Sequence, residues 1–225
     1  MSETLQRKGA IGTIAEAADW LVRNPVLLPV FFVVGVIDAL GEASFLFSVL
    51  GFAAVIVADG IAHRFAFAEV RGTQTNVVAE TEVVFSKFLS LAGATIVYVI
   101  AVIIGLILLI IPGIYLGLRL SLAFPAIVID DQGMMEGLET SWEVAKGNLL
   151  KLLGIWIIFL VGVFSVVISL LIVGGTESLG LTVALSAILT AIIAPIVQLA
   201  YARVYLENRG STVRTDDGGW GSDTR

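Results

Sequence analysis

The chain has no cysteine, which excludes disulfides, thiol nucleophiles and every cysteine-ligated metal site. Its single histidine, His63, leaves little room for a histidine-rich metal centre or a histidine-based triad. Charge is also scarce. Asp, Glu, Lys and Arg make up 14% of the residues, where a soluble domain carries about 25%. Lysine is rarest among them: Lys8, Lys87, Lys146 and Lys151 stand against nine arginines, in a chain of net charge −6 and pI about 4.8. Acidic, lysine-poor polar parts suit a high-salt cytoplasm, because carboxylates hold water where salt screens other interactions. This points to a halophilic archaeon; an ordinary acidic bacterial protein is the alternative. The chain also lacks a phosphate-binding glycine loop with its lysine, H-E-x-x-H, G-x-S-x-G, an EF-hand loop and a basic, aromatic-laced patch for nucleic acid. No catalytic, cofactor or metal site is therefore expected, and no nucleic-acid partner.

What is present is apolar. Hydrophobic residues make up 58% of the chain and the mean hydropathy is +1.00. Runs of about 20 apolar residues, long enough to cross a bilayer, recur along it. Six are expected, at 25–41, 45–70, 88–111, 112–130, 149–173 and 180–206. The predicted fold is all-α: a polytopic membrane protein of six transmembrane helices arranged as three hairpins. The hairpins close through "GEAS", Pro112-Gly113 and "GGTES". The first 24 residues are amphipathic and charged and show no small-residue cleavage pattern, so no cleavable signal peptide is expected.

The closing loops hold Asp38, Glu42 and Glu177 and no basic residue, and twelve of the 13 basic residues fall on the opposite side. Because positive residues mark the cytoplasmic side, both termini are expected there, in a multi-pass protein of the cell membrane. Each hairpin is preceded by an amphipathic stretch, at 10–23, 76–87 and 133–147. The first places Ile11, Ile14, Ala18 and Leu21 on one face, with Thr13-x-x-Glu16 as a capping box. The second groups Val77, Thr81, Val84 and Phe85. The third aligns Met134, Leu138 and Trp142, with Ala145 nearby, opposite Glu136, Glu139 and Glu143. Such helices either lie in the interface with the apolar face toward the acyl chains, or cap the bundle. Echoes such as "AFAEVRG" and "VYLENRG" suggest a threefold repeat. Residues 1–209 then form one transmembrane domain, and 210–225 a disordered, glycine-rich cytoplasmic tail.

Five residues form a candidate intramembrane polar site. Arg119 lies seven residues past Pro112, about 10 Å below the outer face at ~1.5 Å per residue. A cation there costs roughly 2.5 kcal/mol or more unless it is paired. Tyr115 is one turn outward on the same face. Gly113, Gly117 and Ser121 form a small-residue stripe on the other face, and Pro125 should bend the helix. By the same depth arithmetic Asp38 is the expected partner of Arg119. The pair reads as a register lock, and alternatively as an anion or lipid-headgroup site. Asp59 and His63 share a face at i, i+4, with Gln198 and Tyr201 at comparable depth. They could relay protons or form a structural contact.

The stretch "PGIYLGLRLSLAFPAIVIDDQGMMEGLETSWEVAKGNLLKLLGI" resembles a superfamily of six-helix prokaryotic membrane proteins. The superfamily includes the membrane domain attached to some glycerophosphodiester phosphodiesterases, the YciC-type proteins and many haloarchaeal proteins without assigned function. The shared residues are Pro112-Gly113-Ile114-Tyr115, Arg119, Pro125, Asp130-Asp131, Gly133, Ser141-Trp142 and Lys146-Gly147-Asn148. The resemblance covers the central third of the chain. It implies the six-helix fold and no activity, since the phosphodiesterase chemistry belongs to a soluble domain that this chain does not contain. The expected function is a non-catalytic membrane scaffold, lipid-interacting or accessory protein with membrane lipids as partners. A small transporter or permease is the alternative.

Overall fold

A computed structural model describes residues 5–41, 44–173 and 179–212. Glu42, Glu177 and the tail from 213 onward lie outside the described residues. Every regular element among those described is an α-helix. In order they are α1 (Ala10–Arg23), α2 (Leu27–Gly41), α3 (Phe45–Arg71), α4 (Val77–Ser86), α5 (Phe88–Leu108), α6 (Ile110–Leu120), α7 (Ala123–Ile129), α8 (Met134–Val144), α9 (Leu149–Val173) and α10 (Leu179–Thr212). Four stretches are long and apolar enough alone to cross a membrane: α3, α5, α6 with α7, and Val183–Arg209 of α10. The bent pairs α1–α2 and α8–α9 bring the number up to six if each is counted as one span. The helix of the last span continues through Gly210 to Thr212, so it enters what the sequence suggested was tail.

Local chemistry explains the joints. Pro25 has no N–H and forces Asn24 out of the helical region (φ −120°, ψ 63°), so α1 stops and the chain turns by 99° into α2. The Asn24 side chain caps the stop by donating to the Trp20 carbonyl at 2.9 Å. Between α8 and α9 the turn is 111°. There Gly147 takes a left-handed φ of 85°, which costs a glycine little, and Asn148 donates to the Val144 carbonyl at 3.1 Å. Pro125 cannot donate to the Ser121 carbonyl, and the fourth span breaks between α6 and α7 just ahead of it.

Three of the sequence expectations about the amphipathic helices change. The cap of α1 is Gly9, not Thr13, which is buried inside the helix. The buried face of α1 is Thr13, Ala17, Trp20 and Leu21, while Ile11 is 85% exposed. Trp20 adds far more apolar area to the buried stripe than Ile11 could, and this sets the rotation of the helix. In α4, Val84 is buried against Gly60, where a Cβ would lie 2.6 Å from Val84 Cγ1, while Phe85 points outward. Of the two placements the sequence allowed, the buried faces of α1, α4 and α8 pack on the bundle as caps. Glu136, Glu139 and Glu143 stay exposed, as the spacing predicts.

The bundle is packed unevenly. At the end carrying α1, α4 and α8, here termed the collar end, α7 is buried except at Phe124, and α10 packs against α1, α2, α3 and α9. At the opposite, hairpin end, Phe45, Ile107, Ile111 and Leu171 are all more than three-quarters exposed, as lipid-facing side chains should be. Small residues hold the helix crossings together. A Cβ on Gly35 would lie 2.7 Å from the Ala187 backbone, and one on Gly105 2.6 Å from that of Gly113. The span formed by α6 and α7 is half buried against 17% for α5, so it is central and α5 peripheral.

Candidate functional site

Arg119 is 8% exposed and sits at the end of α6, where α8 packs against the break before Pro125. Its Nε donates to the Tyr115 hydroxyl at 2.9 Å, the neighbour that the i, i+4 spacing indicated. Its Nη1 donates to the Trp142 carbonyl at 2.6 Å, and the guanidinium lies 4.4 Å from the centre of the Trp142 ring. The Tyr115 and Trp142 rings meet edge to face. Two aromatic faces and a backbone carbonyl thus supply what a carboxylate would otherwise provide. Ser141 completes the joint: its hydroxyl accepts from Leu122 N at 3.0 Å and donates to the Arg119 carbonyl at 2.8 Å. Backbone groups freed by the helix break are thereby satisfied from α8. The residues Tyr115, Arg119, Pro125, Gly133, Ser141, Trp142, Gly147 and Asn148 thus form or border the joint that seats α8.

Asp38 is not the partner of Arg119. Among the described residues Arg119 makes no ion pair, and Asp38 is exposed toward a cavity at the hairpin end. The two differ in height as well as direction: Asp38 lies three residues from the hairpin end of α2, whereas Arg119 lies nine residues into α6 and turns to α8.

That cavity, of about 980 Å³, lies between α2, α3, α5, α9, α10 and the α6–α7 break. Gly41 and Ser48 line it toward the hairpin end, and Asp59, Gln198 and Tyr201 toward the collar end. Its walls are mostly apolar and aromatic, with Tyr98, Phe124 and Trp156 among them. Asp59 falls in the middle of the 27 residues of α3, roughly 15 Å deeper than Asp38 by helical rise. The Gln198 side chain lies beside its carboxyl, and among the described residues it has no ion-pair partner. A carboxylate at that depth costs about 2.5–3.5 kcal/mol when unpaired.

His63 is fully buried and does not line the cavity. Its Nδ1 lies 3.1 Å from the Gln198 carbonyl oxygen, so Nδ1 carries the proton, and Nε2 has no partner. Asp59 and His63 therefore meet different parts of Gln198, and no direct hydrogen bond joins them as a relay would require. The comparable depth of Gln198 and Tyr201 does hold.

The collar end carries a network that residue patterns alone did not reveal. Arg23 pairs with Glu69, Lys87 with Asp131 and Lys151 with Glu207, each at 2.7 Å. In every hairpin, then, a base at the entry to the first span meets a carboxylate at the exit from the second. Arg203, fully buried, adds Glu16 and Glu207 at 2.5 Å each and the Gln6 carbonyl at 3.1 Å. Asp130 accepts from Tyr205 and pairs with Arg209. Burial raises the Glu16 carboxyl, but hydrogen bonds and attraction from Lys8 and Arg203 bring it below its ordinary value. The i, i+4 pair Arg203 and Glu207, set in an apolar helix, was the available signal. Among the described residues no group of acidic or histidine side chains is placed to hold a metal ion.

Residues 38–207, from the carboxylate near the cavity mouth to the collar carboxylate, match a family model described as a domain of unknown function, DUF7847. No curated protein and no solved structure matches the chain.

Proposed function

The chain belongs to the DUF7847 family, and from the geometry of its cavity we propose that it is a non-catalytic, lipid-interacting membrane protein that holds an amphiphilic ligand between its helices. One observation carries this reading: a cavity at the upper end of the usual size for small-molecule sites, apolar along its walls and polar at its base. Arg119 has no part in binding here, because it does not line the cavity and its guanidinium is held against Tyr115 and Trp142. The arrangement of basic residues supports a multi-pass protein of the cell membrane with both termini cytoplasmic, the cavity then opening outward. The acidic, lysine-poor composition supports a halophilic source. The resemblance of the α6–α9 region to the six-helix superfamily supports a shared fold and brings no activity with it.

The test uses the absence of native thiols, since any introduced cysteine is unique. A cysteine at Thr95, on the cavity wall, should react with a small water-soluble maleimide added from outside, and Thr95→Trp should abolish binding of a fluorescent amphiphile. No labelling and unchanged binding would defeat the proposal. A second reading, a small permease, draws on the same cavity with its two carboxylates at different depths. Ligand flux into sealed vesicles containing the purified chain would favour it, whereas binding without flux favours the lipid-interacting role.

A further inference from the structure

We infer that the cavity selects an organic cation with an apolar body, and that Asp59 is its counter-charge. This rests on the ligand-holding role proposed above and deepens it by naming the ligand class.

Three independent features converge. First, the cavity is lined by two carboxylates, Asp38 and Asp59, and by no lysine or arginine. The carboxylates lie at the opening and at the base, so one can draw a cation in and the other can hold it. Second, the charge deficit is local. The collar and the joint that seats α8 hold the neighbouring bases: Arg64 pairs with Glu80 at 2.6 Å, Arg203 with Glu16 and Glu207, and Arg119 donates to the Trp142 carbonyl. Among the described residues no basic side chain pairs with Asp59 or lines the cavity. Third, the remaining wall suits a bulky cation. Phe52, Tyr98, Phe124, Trp156, Phe159 and Tyr201 all contribute to it. Aromatic faces attract ammonium and phosphonium groups whose charge is too weakly hydrated to need water. A fatty tail alone would be served by an aliphatic pocket, and an anion would meet two carboxylates and no donor of opposite charge. Two carboxylates and an aromatic wall both favour a lipophilic cation over a neutral or anionic ligand.

The experiment compares tetraphenylphosphonium with tetraphenylborate, ions of nearly the same size and shape and opposite charge, on the purified full chain in detergent. Saturable phosphonium binding near one per chain is expected, with no competing borate site. Asp59→Asn should weaken phosphonium binding about tenfold or more, since truncating one side of a desolvated charge pair has effects of that order. Asp38→Asn, at the opening, should change the association rate more than the dissociation rate. A measurement on the unaltered chain guards against a misfolded variant. A hydrophobic carbodiimide should modify Asp59, located by mass spectrometry, and phosphonium but not borate should slow it. If both ions bind alike, or Asp59→Asn binds phosphonium unchanged, the cation inference is overturned while the cavity reading stands. If neither ion binds and a cysteine at Thr95 does not label, the cavity reading falls and takes this inference with it.

Discussion

The collar end and the cavity place ionisable groups in the same protein under opposite rules. At the collar, buried Arg203 meets two carboxylates and a carbonyl, Glu207 is shared by Arg203 and Lys151, and Arg119 is enclosed by two rings and a carbonyl. In the cavity, Asp59 has an amide beside it and open space in front. Satisfied charge in low dielectric fixes a structure, because breaking it strands a partner. Unsatisfied charge costs the fold stability and stays available for a ligand. The contrast separates the part of the molecule that holds shape from the part that can act.

Substitutions should show this contrast in descending order. Glu207→Ala leaves Lys151 without its carboxylate and buried Arg203 with one of its two, and should cost about 3 kcal/mol or more, seen as a large fall in thermal midpoint or loss of monodisperse protein in detergent. Arg119→Gln removes the cation from between its two rings and should cost about 2–3 kcal/mol. Ser141→Ala should cost about 1–3 kcal/mol, because it leaves Leu122 N–H and the Arg119 carbonyl unpaired. Glu16 provides a smaller effect that depends on pH. Its carboxyl is held below the ordinary value of 4.5, so its contribution is complete above that pH and is lost as pH falls through the lowered value. The unfolding midpoint of the unaltered chain should therefore drop below about pH 4.5 more steeply than that of Glu16→Gln. Smallest of all is Asp59→Asn, which should leave stability within about 1 kcal/mol of the parent or raise it. Asp38→Asn combined with Arg119→Gln should be additive within about 0.5 kcal/mol. A coupling of 1 kcal/mol or more in that cycle would restore the ion pair the geometry denies.

Much of the fold was legible because hydrocarbon is an exacting solvent. It demands long apolar helices, and the ends of α2, α3, α5, α7 and α9 fall within a few residues of where hydropathy and the proline and glycine signals put them. The amphipathic helices were equally readable by period, though not the side they turn, since Trp20 outweighed Ile11 in α1. The candidate site was read only in part. Tyr115 beside Arg119, and Gln198 near Asp59 and His63, follow from spacing and depth. The Trp142 carbonyl did not, because every residue has a carbonyl and no side-chain identity marks the one that is used. The cavity was hidden for a related reason: a void is made by helices that fail to meet, and no single segment encodes that.

The ion pairs at the collar also order the events of synthesis. Arg23 with Glu69, Lys87 with Asp131 and Lys151 with Glu207 each close within one hairpin, so each pair of spans can settle as soon as it has left the ribosome and entered the lipid. Arg203 and Arg209 reach back to Glu16 and Asp130, residues made long before them. The N-terminal helix therefore gains its buried ion pair only when the last span arrives, and a chain truncated before residue 203 would keep the packing between hairpins but lose the two ion pairs that tie the last span to Glu16 and Asp130.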